Sequence, residues 1–131
     1  MEKIDCTDKM NKGVLNKYKI EFITSEDGVK PRIKTLVSTD INSFFFNYFI
    51  SVGFWFLKDE LLLELDKAIN GLPFDTDGGG YVVFLTIDKE QSQFRSQGNL
   101  NSYSMPTTDL RDLISNWVEY IEEHNLDKNI L

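Results

Sequence analysis

The amino-acid sequence predicts an α+β fold: an antiparallel sheet of four or five strands, two central helices and an amphipathic C-terminal helix. Two observations support this prediction. Short β-prone runs are separated by turn residues, and three longer segments carry helical patterns of apolar residues. A chain of 131 residues can bury a sizeable core without disulfides or metals. Residues 1–131 are therefore expected to form one domain, with residues 1–13 flexible.

The first β-prone runs predict an antiparallel hairpin. Residues 17–22 alternate polar and apolar side chains, and residues 32–37 form a second β-prone run. Asp27-Gly28, a favoured turn pair, lies between them in a loop expected to span residues 24–31. One face of the hairpin should therefore pack against the core.

The next segment is rich in aromatic residues. Eight of the thirteen residues at positions 44–56 are Phe, Tyr or Trp. Ser43, Asn47 and Ser51 recur every four residues, so on a helix they would form one narrow polar stripe. This pattern predicts a deeply buried helix that Gly53 ends or bends. A strand is the alternative, because Phe, Tyr and Val are mediocre helix formers.

Residues 58–70 show a clearer helical pattern, with apolar side chains on one face and charged side chains away from it. Asn70-Gly71 followed by Pro73 predicts the end of this helix, because glycine accepts the left-handed conformation and proline cannot continue the turn. The apolar face comprises Leu57, Leu61, Leu65, Ile69 and Leu72.

Three β-prone runs follow a glycine-rich segment. Residues 75–80 are expected to form a flexible loop that leads into residues 81–87. The near-continuous apolar character of residues 81–87 is typical of a central strand. Residues 92–96 and 100–105 are expected to add more polar antiparallel strands.

The C-terminal helix has the most regular pattern in the chain. Pro106 and Asp109 lie at its start, where Thr107 and Thr108 are expected to cap the first turn and an acidic residue is favourable. Asn116 is expected to face water. Burial of one apolar stripe should dock the helix permanently on the sheet. The stripe comprises Leu110, Leu113, Ile114, Trp117, Val118 and Ile121.

The net charge of −7 is unevenly distributed. Residues 1–38 carry eight Lys or Arg and six Asp or Glu, whereas residues 39–131 carry six and fifteen. Nucleic-acid binding depends on basic residues that displace counterions from phosphates, so nucleic acid is not the expected partner. A basic protein is the complementary partner. The simpler alternative is that the excess acid only keeps the protein soluble.

The residues that usually carry catalysis are scarce. Cys6 and His124 are the single Cys and His and lie near opposite chain ends without a recognisable orienting residue, so no nucleophile–base pair is expected. His124 is expected instead to contact the last carbonyls of the C-terminal helix. Residues 75–80 imitate the start of a calcium loop but lack its later ligands. We therefore expect no catalytic residues, no cofactor and no metal.

The cysteine content and the first residues predict a cytoplasmic protein. One Cys cannot form an internal disulfide, and the first residues lack the apolar stretch of a secretory signal. The aromatic segment is too short to cross a bilayer. No association with membranes is expected.

About a third of the chain resembles a known class of proteins. Residues 81–123 contain, in order, an apolar strand, an Asp-Lys-Glu turn, a polar strand and a helix that opens with Pro-Thr-Thr-Asp-Leu. This order is similar to the ending of many bacterial immunity proteins, which inhibit contact-dependent and other polymorphic toxins. The resemblance implies a small cytoplasmic protein, often acidic, that binds its cognate toxin and blocks the active site. Many such toxins are nucleases, whose substrate-binding surfaces are basic.

The favoured hypothesis is a non-enzymatic inhibitor of a basic toxin, present as a monomer or weak homodimer. One alternative is a small-molecule-binding module in which residues 44–57 line an apolar pocket and Asn47 or Ser51 orients the ligand. Another is an enzyme without a recognisable motif. The expected toxin contacts are acidic residues on loops or exposed faces, with one tyrosine as an aromatic anchor. They are Glu64, Asp75, Asp77, Asp88, Glu90 and Tyr103.

Overall fold

Six strands form two antiparallel sheets in the described part of the computed structural model, which comprises residues 13–35, 41–81, 83–96 and 102–128. A two-stranded hairpin joins β1 (Ile20–Thr24) and β2 (Pro31–Thr35). A second sheet has four strands in the order β3-β4-β5-β6. These strands are β3 (Asp77–Gly80), β4 (Val83–Thr86), β5 (Gln91–Ser96) and β6 (Ser102–Pro106).

The helices complete the predicted α+β class, with two central helical regions and a long C-terminal helix. In the described residues they are α1 (Gly13–Lys17), α2 (Ile41–Val52), α3 (Phe54–Phe56), a π-helical turn (Leu57–Leu61), α4 (Leu62–Ile69) and α5 (Thr107–Glu123). The π-helical turn joins α3 to α4 without a gap, and we call residues 54–69 the segmented helix. No helix within the described ranges is long and apolar enough to cross a membrane.

The hairpin is confirmed, with shifted boundaries. Its first strand begins at Ile20 rather than at residue 17, because Lys17 ends α1 and Lys19 has a φ of +57° between the two elements. Thr24 pairs with Pro31, which closes the predicted loop. Residues 36–37 and 100–101 of the predicted strands lie outside the described residues, as does Cys6.

The loop prediction holds for residues 75–76 but is wrong for residues 77–80, because Asp77–Gly80 forms β3 at the edge of the four-stranded sheet. Gly78 lies so close to β4 that a Cβ atom would be 2.7 Å from the Leu85 Cδ2 atom. The Tyr48 hydroxyl donates a hydrogen bond to the Gly78 carbonyl. These contacts hold a segment of low β propensity in the sheet.

The aromatic segment forms α2 and continues into the segmented helix. Helix α2 lies between the four-stranded sheet and the hairpin. The ring centroid of Phe45 is 5.7 Å from that of Phe94 on β5, and the Arg32 guanidinium of β2 is 5.8 Å from the Phe46 ring. Asn47, from the predicted polar stripe, is exposed. A helix that is apolar on most sides is stable here because neighbouring elements cover it on several sides.

Glycine residues end both central helical regions, as predicted. Gly53 follows the last residue of α2 and has a φ of +83°. Gly71 has a φ of +76°, and the Leu72 N–H donates a 2.9 Å hydrogen bond to the Lys67 carbonyl, which completes a Schellman motif. Leu72 is 56% exposed rather than buried, because the helix has ended before it.

All six residues of the apolar stripe on α5 are buried, as predicted. The prediction that Thr107 and Thr108 cap this helix is wrong, because no side chain caps its first turn. The buried Thr107 hydroxyl donates instead to the Asp88 carbonyl. Asn116 is buried rather than exposed, and its side-chain amide donates to the Asp112 carbonyl one turn earlier.

Candidate functional site

Three of the six predicted contact residues meet between the segmented helix and β3. Glu64 on α4 accepts hydrogen bonds from the Asp75 backbone N–H at 2.9 Å and from the Lys67 Nζ atom at 3.1 Å. The Asp75 carboxylate accepts the Asp77 N–H at 3.0 Å. These bonds hold the loop after α4 against the helix, so that Glu64, Asp75 and Asp77 line one cleft.

The cleft has a volume of about 290 Å³. The segmented helix forms one wall, and residues 75 and 77 form the other. Two further acidic side chains, Asp59 and Glu60, lie in the helix wall. Apolar lining is supplied by Phe56, Leu61 and Leu63. The cleft therefore combines carboxylates with an apolar surface.

The carboxylates of the cleft differ in how well they are compensated. The Asp75 N–H, and then the Lys67 ammonium, hold the pKa of Glu64 below its usual range. Within the described residues, the carboxylates of Asp59 and Glu60 accept no hydrogen bond. Glu64 therefore has hydrogen-bonded partners that Asp59 and Glu60 lack, and Asp59 is balanced only by attraction to the neighbouring Lys58 ammonium among the described residues.

Asp59 and Glu60 belong to the π-helical turn. Such turns are rare and often occur at functional sites. Two large apolar side chains flank this turn and face solvent: Trp55 is 52% exposed and Leu63 is 54% exposed. We call Trp55, Asp59, Glu60 and Leu63 the acidic helix face.

The sequence pattern did not single out the acidic helix face as a site. Trp55 belongs to an aromatic segment that predicts a buried core, and Glu60 pairs with Glu64 at a spacing that indicates only a solvated helix face. The π-helical turn depends on three-dimensional packing and has no simple sequence pattern. One sequence feature that could have indicated this surface is Leu63, an apolar residue that lies among the charged positions of the predicted helix.

Asp88 and Glu90 lie in the turn between β4 and β5 and are exposed. The Ile87 N–H donates to the Thr76 carbonyl at 2.8 Å, so the chain leaves β4 beside the point where it enters β3. The carbonyls of Asp88 and Glu90 also hold the start of α5 through Thr107. The two carboxylates thus extend the acidic surface beyond the cleft at the same end of the sheet.

Tyr103 lies in a different environment from the predicted acidic contacts. It belongs to β6, at the opposite edge of the sheet from β3. Its ring centroid is 6.3 Å from those of Phe44 and Phe45, and its hydroxyl shares a hydrogen bond with Tyr18. Burial raises the pKa of the Tyr103 hydroxyl. Tyr103 is therefore separate from the cleft and joined to the packing around α2.

The described residues that were weighed for catalysis or metal binding have other partners. His124 Nδ1 lies 2.9 Å from the Tyr120 carbonyl, which confirms the predicted contact with the end of α5. The Asp77 carboxylate accepts the Gly79 N–H at 2.8 Å. In the four described ranges, no group of three or more His, Cys, Asp or Glu side chains is placed to hold a metal ion. The polar side chains that line the cleft are all carboxylates, which accept rather than donate hydrogen bonds.

No protein-family model, curated protein or solved structure matches this chain.

Proposed function

We propose that this protein is a non-enzymatic inhibitor that binds and neutralises a basic bacterial toxin, and so acts as an immunity protein. The observation that carries the proposal is the acidic helix face: Asp59 and Glu60, whose carboxylates accept no hydrogen bond within the described residues, lie in sequence between two large apolar side chains that are more than half exposed. Exposed tryptophans often become the central, energetically dominant contacts of an interface. Carboxylates beside them favour a basic partner over an acidic or neutral one.

Rigid placement of the acidic groups supports inhibition by occlusion. Asp59, Glu60 and Glu64 project from a helix, and Asp75 and Asp77 are fixed by backbone hydrogen bonds. A nuclease binds phosphate groups through Lys and Arg side chains. Carboxylates held in fixed positions can occupy the same side chains through charge-assisted hydrogen bonds. Substrate and inhibitor would then compete for one basic surface.

The packing of α2 gives less support to the small-molecule alternative. Asn47 is exposed, and the Ser51 hydroxyl donates to the Tyr48 carbonyl of its own helix. Neither polar side chain is therefore placed to orient a ligand among the aromatic rings. Those rings pack on one another instead, with Phe45 and Phe49 centroids 6.4 Å apart.

Co-expression with a toxin encoded immediately upstream of this gene tests the proposed function. We expect wild-type protein to restore growth and to purify with the toxin in a one-to-one complex at low salt. Asp59→Lys/Glu60→Lys should lose protection, because the reversed charges repel the basic surface. Glu21→Lys/Glu26→Lys is the matched control: both residues are exposed and lie on the hairpin, outside the cleft lining.

Two results would contradict the proposal. One is growth arrest that the wild-type protein does not relieve, with no complex formed. The other is equal protection by the cleft and hairpin variants, because inhibition would then not depend on the acidic helix face.

A further inference from the structure

We infer that the cleft receives an arginine side chain of the partner protein. The inference rests on the proposed function only for the identity of the protein that supplies this arginine. It begins from a solvent-exposed helix face, on which Trp55 and Leu63 are more than half exposed and the Lys58 Nζ atom lies 5.8 Å from the Trp55 ring. The π-helical turn between Trp55 and Leu63 lines a concave site of about 290 Å³. Exposed apolar side chains beside a concavity are typical of an interaction surface.

The charges and hydrogen bonds of the cleft specify a donor as its occupant. The N–H groups of Asp75, Asp77 and Gly79 are already bonded to carboxylates. The polar side chains that line the cleft are all carboxylates, those of Asp59, Glu60, Glu64, Asp75 and Asp77. An anion or a partner's carbonyl would find no donor among these groups. A cation with several N–H groups would satisfy them.

Arginine fits this arrangement better than lysine does. The carboxylates stand on two walls, with Asp59 and Glu60 on the helix and Asp75 and Asp77 opposite. A guanidinium carries five N–H donors in a fixed plane and can bond to several carboxylates, whereas an ammonium is a compact point charge. The apolar lining, which includes Phe56, can contact the arginine stem and the face of the guanidinium.

An NMR titration of the ¹⁵N-labelled full chain tests the inference without the toxin. The probes are N-acetyl-arginine methylamide, the corresponding lysine compound, and the uncharged citrulline isostere. We expect saturable shifts of the amides at residues 59–64 and 75–79, with arginine bound most tightly and citrulline least. Asp59→Asn/Glu60→Gln should weaken arginine binding about tenfold, since it removes two charged acceptors. Glu21→Gln/Glu26→Gln, with the same change in net charge, should alter it by less than about twofold.

Each opposite outcome overturns the inference: equal affinity for arginine and lysine, equal weakening by the two double variants, or shifts spread over the whole surface. The toxin experiment and the arginine titration can fail independently of each other. If the protein binds a toxin but its cleft shows no preference for arginine, this inference is wrong and the proposed function still stands. If the cleft binds arginine but the protein neutralises no toxin, the proposed function is wrong and this inference still stands.

Discussion

The Thr107 side chain joins three elements through one hydroxyl. It donates to the Asp88 carbonyl in the β4–β5 turn and lies 2.8 Å from the Ser92 hydroxyl of β5. Both Thr107 and Ser92 are fully buried. Because Thr107 uses its proton on Asp88, Ser92 must donate to Thr107. The start of α5 is therefore fixed to the β4–β5 turn, beside the acidic surface.

Thr107→Val keeps the shape of this side chain and removes its oxygen. The Ser92 hydroxyl and the Asp88 carbonyl then lose their partners, so we expect a loss of about 1–3 kcal/mol in the free energy of unfolding, measured by urea denaturation. Thr108→Val is the control, because Thr108 is exposed and should change stability by no more than about 0.5 kcal/mol. Equal effects of the two substitutions would mean that the buried hydroxyl pair contributes nothing specific.

The sequence predicts the position of Thr107 at the start of α5 but not its hydrogen-bond partner. Capping preferences describe hydrogen bonds to N–H groups two or three residues ahead. The contact that Thr107 makes is 19 residues away in sequence, and no local pattern contains it. The polarity of Asn116 likewise predicts exposure, but tertiary packing buries its position on α5.

At the scale of elements, Asp109 links α1 to the first turn of α5. Its Oδ2 atom accepts hydrogen bonds from the Tyr18 hydroxyl and the Lys17 Nζ atom, both at 2.7 Å. The Asp109 side chain is 15% exposed, whereas that of Lys17 is 59% exposed. Tyr18 also shares a hydrogen bond with Tyr103, which extends the link to β6.

These two donors to Asp109 should contribute unequally to stability. Tyr18→Phe removes a mostly buried hydrogen bond to a charged group and should lower the free energy of unfolding by about 1.5–3 kcal/mol. Lys17→Ala removes a solvent-exposed ion pair and should cost about 1 kcal/mol or less. Urea denaturation of both variants at neutral pH measures the difference. A larger loss from Lys17→Ala would show that the ion pair, rather than the phenol, holds α1 in place.

Tyr48 joins α2 to β3 and predicts a loss of stability in alkali. Burial, and then the Asp77 charge, raise the pKa of the Tyr48 hydroxyl, so the folded state holds it neutral. An unfolded phenol ionises near pH 10. The stabilisation is thus complete below about pH 10 and falls above it, by up to about 1.4 kcal/mol per pH unit.

Urea denaturation between pH 8 and 11.5 should show a shallower fall in the free energy of unfolding for Tyr48→Phe than for wild type. Tyr81→Phe, at a 76% exposed ring, is the control; a Tyr48→Phe slope equal to wild type would contradict the prediction.

Elements with regular apolar spacing were predictable, and β3 was not. Apolar residues follow the helical period on the stripe of α5 and on the face formed by Leu57, Leu61 and Leu65. The residues that this pattern predicts to be buried are the ones that the structure buries. Strand β3 has the sequence Asp-Gly-Gly-Gly, which favours a loop. It is held by the close approach of Gly78 to Leu85, a contact that exists only once both elements are in place.

At the scale of the whole molecule, the candidate surface combines residues that the sequence predicts to belong to it with residues that it does not. Glu64, Asp75 and Asp77 were predicted because loops and charged helix faces are exposed by default, and hydrogen bonds bring them together. Asp59 and Glu60 join them through the π-helical turn. Asp88 and Glu90 remain outside the cleft lining, on the neighbouring turn. The acidic surface therefore has a concave part and a peripheral part.

Under the proposed function, these two parts should act on different rate constants of toxin binding. Asp88→Lys/Glu90→Lys changes peripheral charges that act over long range, so we expect association to slow at least about tenfold at 10 mM salt, where the Debye length is about 30 Å. Dissociation should hardly change. Asp59→Asn/Glu60→Gln removes acceptors that the bound partner covers, so it should speed dissociation instead.

Stopped-flow measurements at 10 mM and 1 M salt, with Glu21→Lys/Glu26→Lys as the charge-matched control, separate the effects on association from those on dissociation. If the hairpin control slowed association as much as the β4–β5 variant, net charge alone would steer binding, and the location of the acids would not matter.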